Sequence, residues 1–174
     1  MQIENATAPL EEIAAEVLVC FHLADEPAPR GRLGRVDWLL LSPLSRLLVR
    51  GKFAADRGAS LLLASAGKLK TDWVLVMGLG RQAELSMTGL YRLSYQTAET
   101  LLKLRHTRIA LDLPLRGFPA EPPVRLREAF LEGFLAELRR GMPEAAFQVA
   151  VLPPEGSAAW PAQAPRPAKR SRRR

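Results

Sequence analysis

The stretch of this 174-residue sequence most suggestive of chemistry is Gly78-Leu79-Gly80-Arg81-Gln82-Ala83, which follows the apolar run Trp73–Met77. It fits the G-x-G-x-x-A pattern, whose glycines let the backbone approach a pyrophosphate at a helix N-terminus. The spacing downstream weakens that reading. The next helix opens only at Ser86, and the next strand-end acid, Asp112, lies 29 residues beyond Ala83 instead of about 20. Gly78 and Gly80 remain cofactor-binding candidates, but a tight strand-to-loop turn needing φ > 0 is the plainer expectation. No cofactor is expected.

Cys20 and His22, two apart in an apolar run, share one face of a strand. A metal site would need more ligands, and His106 is the only other histidine. A Cys–His nucleophile would need a third, orienting group. A buried thiol and an accommodated imidazole are therefore expected, with no metal ligand and no catalytic residue. Carboxylates pair at Glu11-Glu12, Asp25-Glu26 and Glu128/Glu132. The last pair is spaced i,i+4 between Arg125 and Arg127 on the polar side of a helix, a solvated arrangement, not an acid–base one. No serine sits in a nucleophile-elbow motif.

The densest charge is at the end, where Lys169, Arg170, Arg172, Arg173 and Arg174 place five cations in six residues. Such a cluster suits nucleic acid, an acidic partner or an anionic membrane surface, and equally a solubilising tail. The formal charge of +7 belongs largely to this segment. Without the six cations of residues 165–174, 19 basic residues face 18 acidic ones. Arginine outnumbers lysine 20 to 5 across the chain, which reads as genomic bias before it reads as phosphate recognition.

The elements that must position these groups follow from patterning. At 48% hydrophobic and 25% charged residues the chain can build one core, and no apolar run approaches the roughly 18 residues of a membrane span. The first residues lack the basic and apolar regions of a secretory signal, so a cytoplasmic location is expected. One cysteine permits no internal disulfide. Residues 16–23 read as a strand, followed by a Pro/Gly-rich loop at 27–34 and a helical pattern over 35–41. Ser42 suits an N-cap and Pro43 the first position of a helix running to Gly51. Strands are predicted at 59–64 and 72–77, then a Ser86-capped helix to about Arg105 with Leu90, Ser94, Ala98, Leu101 and Arg105 on one face. A strand at 108–113 follows. Leu126, Phe130, Phe134 and Leu138 then mark a helix stripe, and 146–152 a last strand. Alternating strands and amphipathic helices predict an α/β domain over residues 1–152, with a mostly parallel sheet covered on both faces. Residues 153–174, rich in proline and arginine, are expected to form a disordered basic tail.

Several of these segments together resemble the N-terminal domain of the leucine aminopeptidases. Leu47 through Gly51-Lys52-Phe53, Gly58 and Leu61-Leu62-Leu63 are similar to its start, and Trp73 to Gly80 with Glu84-Leu85-Ser86 to its central strand and Gly-Leu-Gly turn. Ile109 to Pro114 is similar to the next strand, and Phe130-Leu131-Glu132-Gly133-Phe134 to a helix that carries a glycine in that family. The resemblance implies a three-layer, macro-domain-like fold. It also implies that catalysis belongs to a separate two-metal domain, whose Asn-Thr-Asp-Ala-Glu-Gly-Arg motif does not occur here. The expectation is a non-catalytic binding or assembly module with a protein partner, either another copy or an aminopeptidase-like or other chain. A nucleic-acid-associated protein using the tail, and a nucleotide or ADP-ribose-type ligand-binding domain, are the alternatives.

Overall fold

The computed structural model describes residues 1–161. Six strands form one sheet: β1 (Gln2–Asn5), β2 (Val17–His22), β3 (Ser60–Ala64), β4 (Trp73–Gly78), β5 (Arg108–Leu111) and β6 (Gln148–Val151). Their order is β1-β6-β5-β2-β4-β3, all parallel except the edge strand β3, which runs antiparallel to β4. Four α-helices connect them: α1 (Gly31–Leu39), α2 (Pro43–Val49), α3 (Met87–Leu104) and α4 (Pro123–Gly141). The three-layer α/β architecture expected from the sequence is thus present.

Alternation along the buried strands explains the layering. On β2, Val17 and Val19 face the core made with α3 and α4, where Phe130 and Phe134 are fully buried. Leu18 and Cys20 face the second core, made with Leu33 and Val36 of α1 and Leu44 of α2. Helix α3 begins as predicted, with Ser86 Oγ accepting from Gly89 N at 3.1 Å. Arg105 is not on its buried face; it takes the left-handed C-cap position at φ 57°. Where α3 crosses α4, Gly133 lies against Ser94 and the ring edges of Tyr91 and Tyr95, so any Cβ there would collide.

Three local expectations change. Residues 2–5 form an edge strand paired with β6. Helix α1 opens at Gly31, inside the segment expected to be a loop. Ser42 does not cap α2 with its side chain; it sits at φ 59°, after Leu41 at φ 69°. That left-handed pair folds the chain back so that the buried Asp37 carboxylate accepts from Leu44 N at 2.8 Å and Ser45 N at 3.3 Å. Asp37 is the cap in its place. Among the described residues no helix is long and apolar enough to cross a membrane.

Candidate functional site

The connection leaving β2 reaches β4 on one side, whereas α3 carries the chain from β4 across to β5 on the other. In open parallel sheets such a divergence leaves a crevice beyond the carboxyl ends of the strands. Here it is a cleft of about 260 Å³, with Phe21, Leu79 and Leu113 among its apolar lining. At its side Arg32, in the first turn of α1, donates to the Asp112 carboxylate and, at 3.0 Å, to the carbonyl of Pro153. A second pair, Arg116 to Glu26 at 2.8 Å, borders the same cleft. Glu155 completes it, its carboxylate lying against Gly31, which is at φ 58° and has no room for a side chain.

Burial pushes the Asp112 carboxyl up to about 6, with Glu155 adding repulsion and Arg32 pulling the other way. His22 ends β2 almost completely buried; neither ring nitrogen has a hydrogen-bond partner, and the Glu26 carboxylate is 3.7 Å from Nδ1. Its pKa is lowered, chiefly by burial, against the opposing pull of Glu26. Cys20 shares that face, and burial raises its thiol well above the ordinary range, so it is no thiolate nucleophile.

The structure brings Asp112, Glu26 and, behind Glu26, His22 to one end of the sheet, and leaves the other candidates apart. Gly78 and Gly80 are explained by backbone packing. Gly78 abuts the main chain of Ala55 and Asp56, and Gly80 sits at φ 78° while its N–H bonds the Ala55 carbonyl at 3.0 Å. A 3-10 turn, Gln82–Glu84, follows instead of an α-helix, and of this turn only Leu79 lines the cleft. Asp25 accepts from Gln82 N at 3.1 Å, Glu11 pairs with Arg35, and Glu128 and Glu132 are exposed. His106 lies near Glu16, far along the chain from Cys20 and His22. Among the described residues no group of three or more His, Cys, Asp or Glu side chains is placed to hold a metal ion. Lys169, Arg170, Arg172, Arg173 and Arg174 lie outside the described residues.

Sequence reasoning met Asp112 only as a strand-end acid and missed Arg32 altogether. The two are 80 residues apart, and only the fold pairs them.

Comparison with known proteins agrees with this geometry. The probable cytosol aminopeptidase of Sulfurihydrogenibium is 25% identical over 118 residues, covering 68% of this chain and 23% of its own length. That of Geobacter is 33% identical over 118 residues, covering 66% and 23%. The chain thus spans about a quarter of the curated relatives it matches. Among solved structures, a tomato leucine aminopeptidase superposes with a TM-score of 0.67 at 17% identity, covering 94% of this chain and 34% of that one. The macrodomain of Mycobacterium tuberculosis DarG gives 0.64 at 11% identity, covering 88% and 98%. A Trypanosoma brucei macrodomain in complex with ADP-ribose gives 0.62 at 15% identity, covering 86% and 62%. These likenesses place the fold among the macrodomains. A model described as "Cytosol aminopeptidase family, N-terminal domain" matches residues 18–138, and the chain belongs to that family through this domain.

Proposed function

We propose that the chain is a non-catalytic, stand-alone domain of the aminopeptidase N-terminal type, acting in the cytoplasm as a binding or assembly module. Its binding place is the cleft beyond β2, β4 and β5. That cleft is the observation carrying the reading: an apolar lining with two oriented ion pairs, Arg32–Asp112 and Arg116–Glu26, is how small-ligand sites combine burial with orientation. The non-catalytic part is supported by similarity confined to about a quarter of the length of the aminopeptidases. The test is hydrolysis of leucine-p-nitroanilide with added Mn²⁺ or Zn²⁺. No turnover is expected, and activity surviving repurification overturns the reading.

A nucleotide or ADP-ribose-type ligand is the reading favoured for the cleft by the ADP-ribose-bound Trypanosoma brucei macrodomain. The chemistry it must meet is specific. Three arginines, Arg30, Arg32 and Arg116, are balanced by Glu26, Asp112 and Glu155 around the cleft, so an anionic group enters by displacing a carboxylate. Calorimetry with ADP-ribose, ADP and NAD is expected to give heat that Arg32→Ala abolishes. Silence at millimolar ligand removes this ligand class. Nucleic-acid contact rests instead on the five cations of residues 169–174. It predicts anisotropy that falls steeply with salt and disappears when residues 165–174 are deleted.

A further inference from the structure

At the end of α1 away from the cleft, about 13 Å along a nine-residue helix, the molecule exposes a different kind of surface. Trp38, Leu41 and Val49 are 72%, 67% and 85% exposed, all within the α1–α2 corner. No acidic residue occurs from Trp38 to Ala55, whereas Arg46, Arg50 and Lys52 are exposed and make no ion pair among the described residues. Leu41 and Ser42 hold left-handed conformations without being glycine. Strain of that kind persists only where the surroundings enforce it. Here the enforcement is the buried Asp37 carboxylate gripping the first turn of α2, together with Ser42 N bonding the Asp37 carbonyl at 2.7 Å. The result is a braced corner that turns a leucine outward.

We propose that this corner is a membrane-contact tip that seats on an anionic lipid surface. The charge decides among occupants. A second copy would set Arg46, Arg50 and Lys52 against their own counterparts. Nucleic acid would use the cations but leave Leu41 and Val49 without an apolar partner. Neither cavity of the molecule is lined by residues 38–52, so the corner offers no groove to receive a side chain from an acidic protein. A lipid interface satisfies every group at once: acyl chains take Leu41 and Val49, the headgroup level takes the amphipathic Trp38 indole, and anionic headgroups take the cations. The basic run Lys169–Arg174 adds a second, purely electrostatic attachment. Peripheral binding generally needs two such weak signals together.

The full chain is tested by co-sedimentation with vesicles of phosphatidylcholine alone or with about 30% phosphatidylglycerol, and by tryptophan quenching with brominated acyl chains. Binding to the anionic vesicles with quenching is expected. Leu41→Ser/Val49→Ser should lower the partition coefficient at least about tenfold, and Arg50→Gln/Lys52→Gln about fivefold per charge removed at low salt. All four residues are exposed, and circular dichroism checks that the variants stay folded. Absence of vesicle binding overturns the proposal. So does binding that the Leu41/Val49 variant retains in full, because the basic tail alone would then explain it. A concentration-dependent dimer in sedimentation velocity that the same variant abolishes also overturns it, and assigns the corner to a second copy.

Discussion

His22 and Asp112 stand at the ends of adjacent strands, and burial moves both away from their charged forms. The consequences for stability run in opposite directions. The folded Asp112 keeps its proton to about pH 6, against 3.8 for the free side chain. Its contribution is therefore complete at low pH and is lost as pH rises through about 6, by up to about 3 kcal/mol for a shift of two units. His22 has a folded pKa below 6.5, so the unfolded chain takes its proton first and stability falls as pH drops below that value. The two windows overlap and partly cancel in the native protein, and single substitutions separate them. Asp112→Asn should gain stability relative to the native chain between pH 4 and 7. His22→Asn should lose less on acidification than the native chain does. Carboxyl-carbon NMR of Asp112 provides the direct check, with a midpoint near 6 expected; a midpoint near 4 would remove the premise that burial dominates there.

At the scale of elements, α2 is a seven-residue helix, too short to persist on propensity alone, and it depends on what holds its first turn. Asp37→Ala leaves Leu44 N and Ser45 N without their acceptor inside the protein. The expected loss is about 1–3 kcal/mol in urea unfolding, with Asp37→Asn recovering part of it through one remaining oxygen. Ser42→Ala, the substitution that the sequence alone would single out, should cost little, because the Ser42 side chain makes no capping bond. This contrast marks where sequence reading stops. Strands β2, β4, β5 and β6, the Ser86 cap and the Phe130/Phe134 stripe were legible because each depends on neighbours within a few residues. The Asp37 cap was not, because it requires two non-glycine residues in the left-handed region. Strand β1 was not, because Gln2–Asn5 is exposed throughout and its only sequence-distant partner is β6. The start of α1 was hidden by its glycines, whose reason is tertiary: a Cβ on Gly34 would stand 2.8 Å from the Pro29 carbonyl oxygen. The cleft was hidden for the same reason, since Arg32 meets Asp112 only after β2 and β5 have paired.

Across the whole molecule, the sheet presents its carboxyl ends to a segment that the composition placed in the tail. After β6 the chain passes over that end: Arg32 holds the Pro153 carbonyl, Glu155 lies beside Gly31, and Trp160 packs against the α3–α4 core with Arg127 5.1 Å from its ring centroid. The folded unit therefore reaches at least to Trp160. A chain ending at Pro161 should match the full-length protein in thermal unfolding, whereas one ending at Leu152 should lose about 1–3 kcal/mol. That range sets the burial of an indole and the Arg32 bond against the entropy of ordering nine residues. The functional consequence is sharper than the loss of stability. Removing Glu155 takes away a carboxylate that balances the three arginines of the cleft. If the cleft takes anions, the Glu155→Gln full-length chain should bind ADP more tightly than the native chain at an unchanged melting temperature. A chain ending at Leu152 that unfolds like the full-length protein would show that the segment rests on the cleft without stabilising it, and Glu155→Gln would then be the only test of its role there.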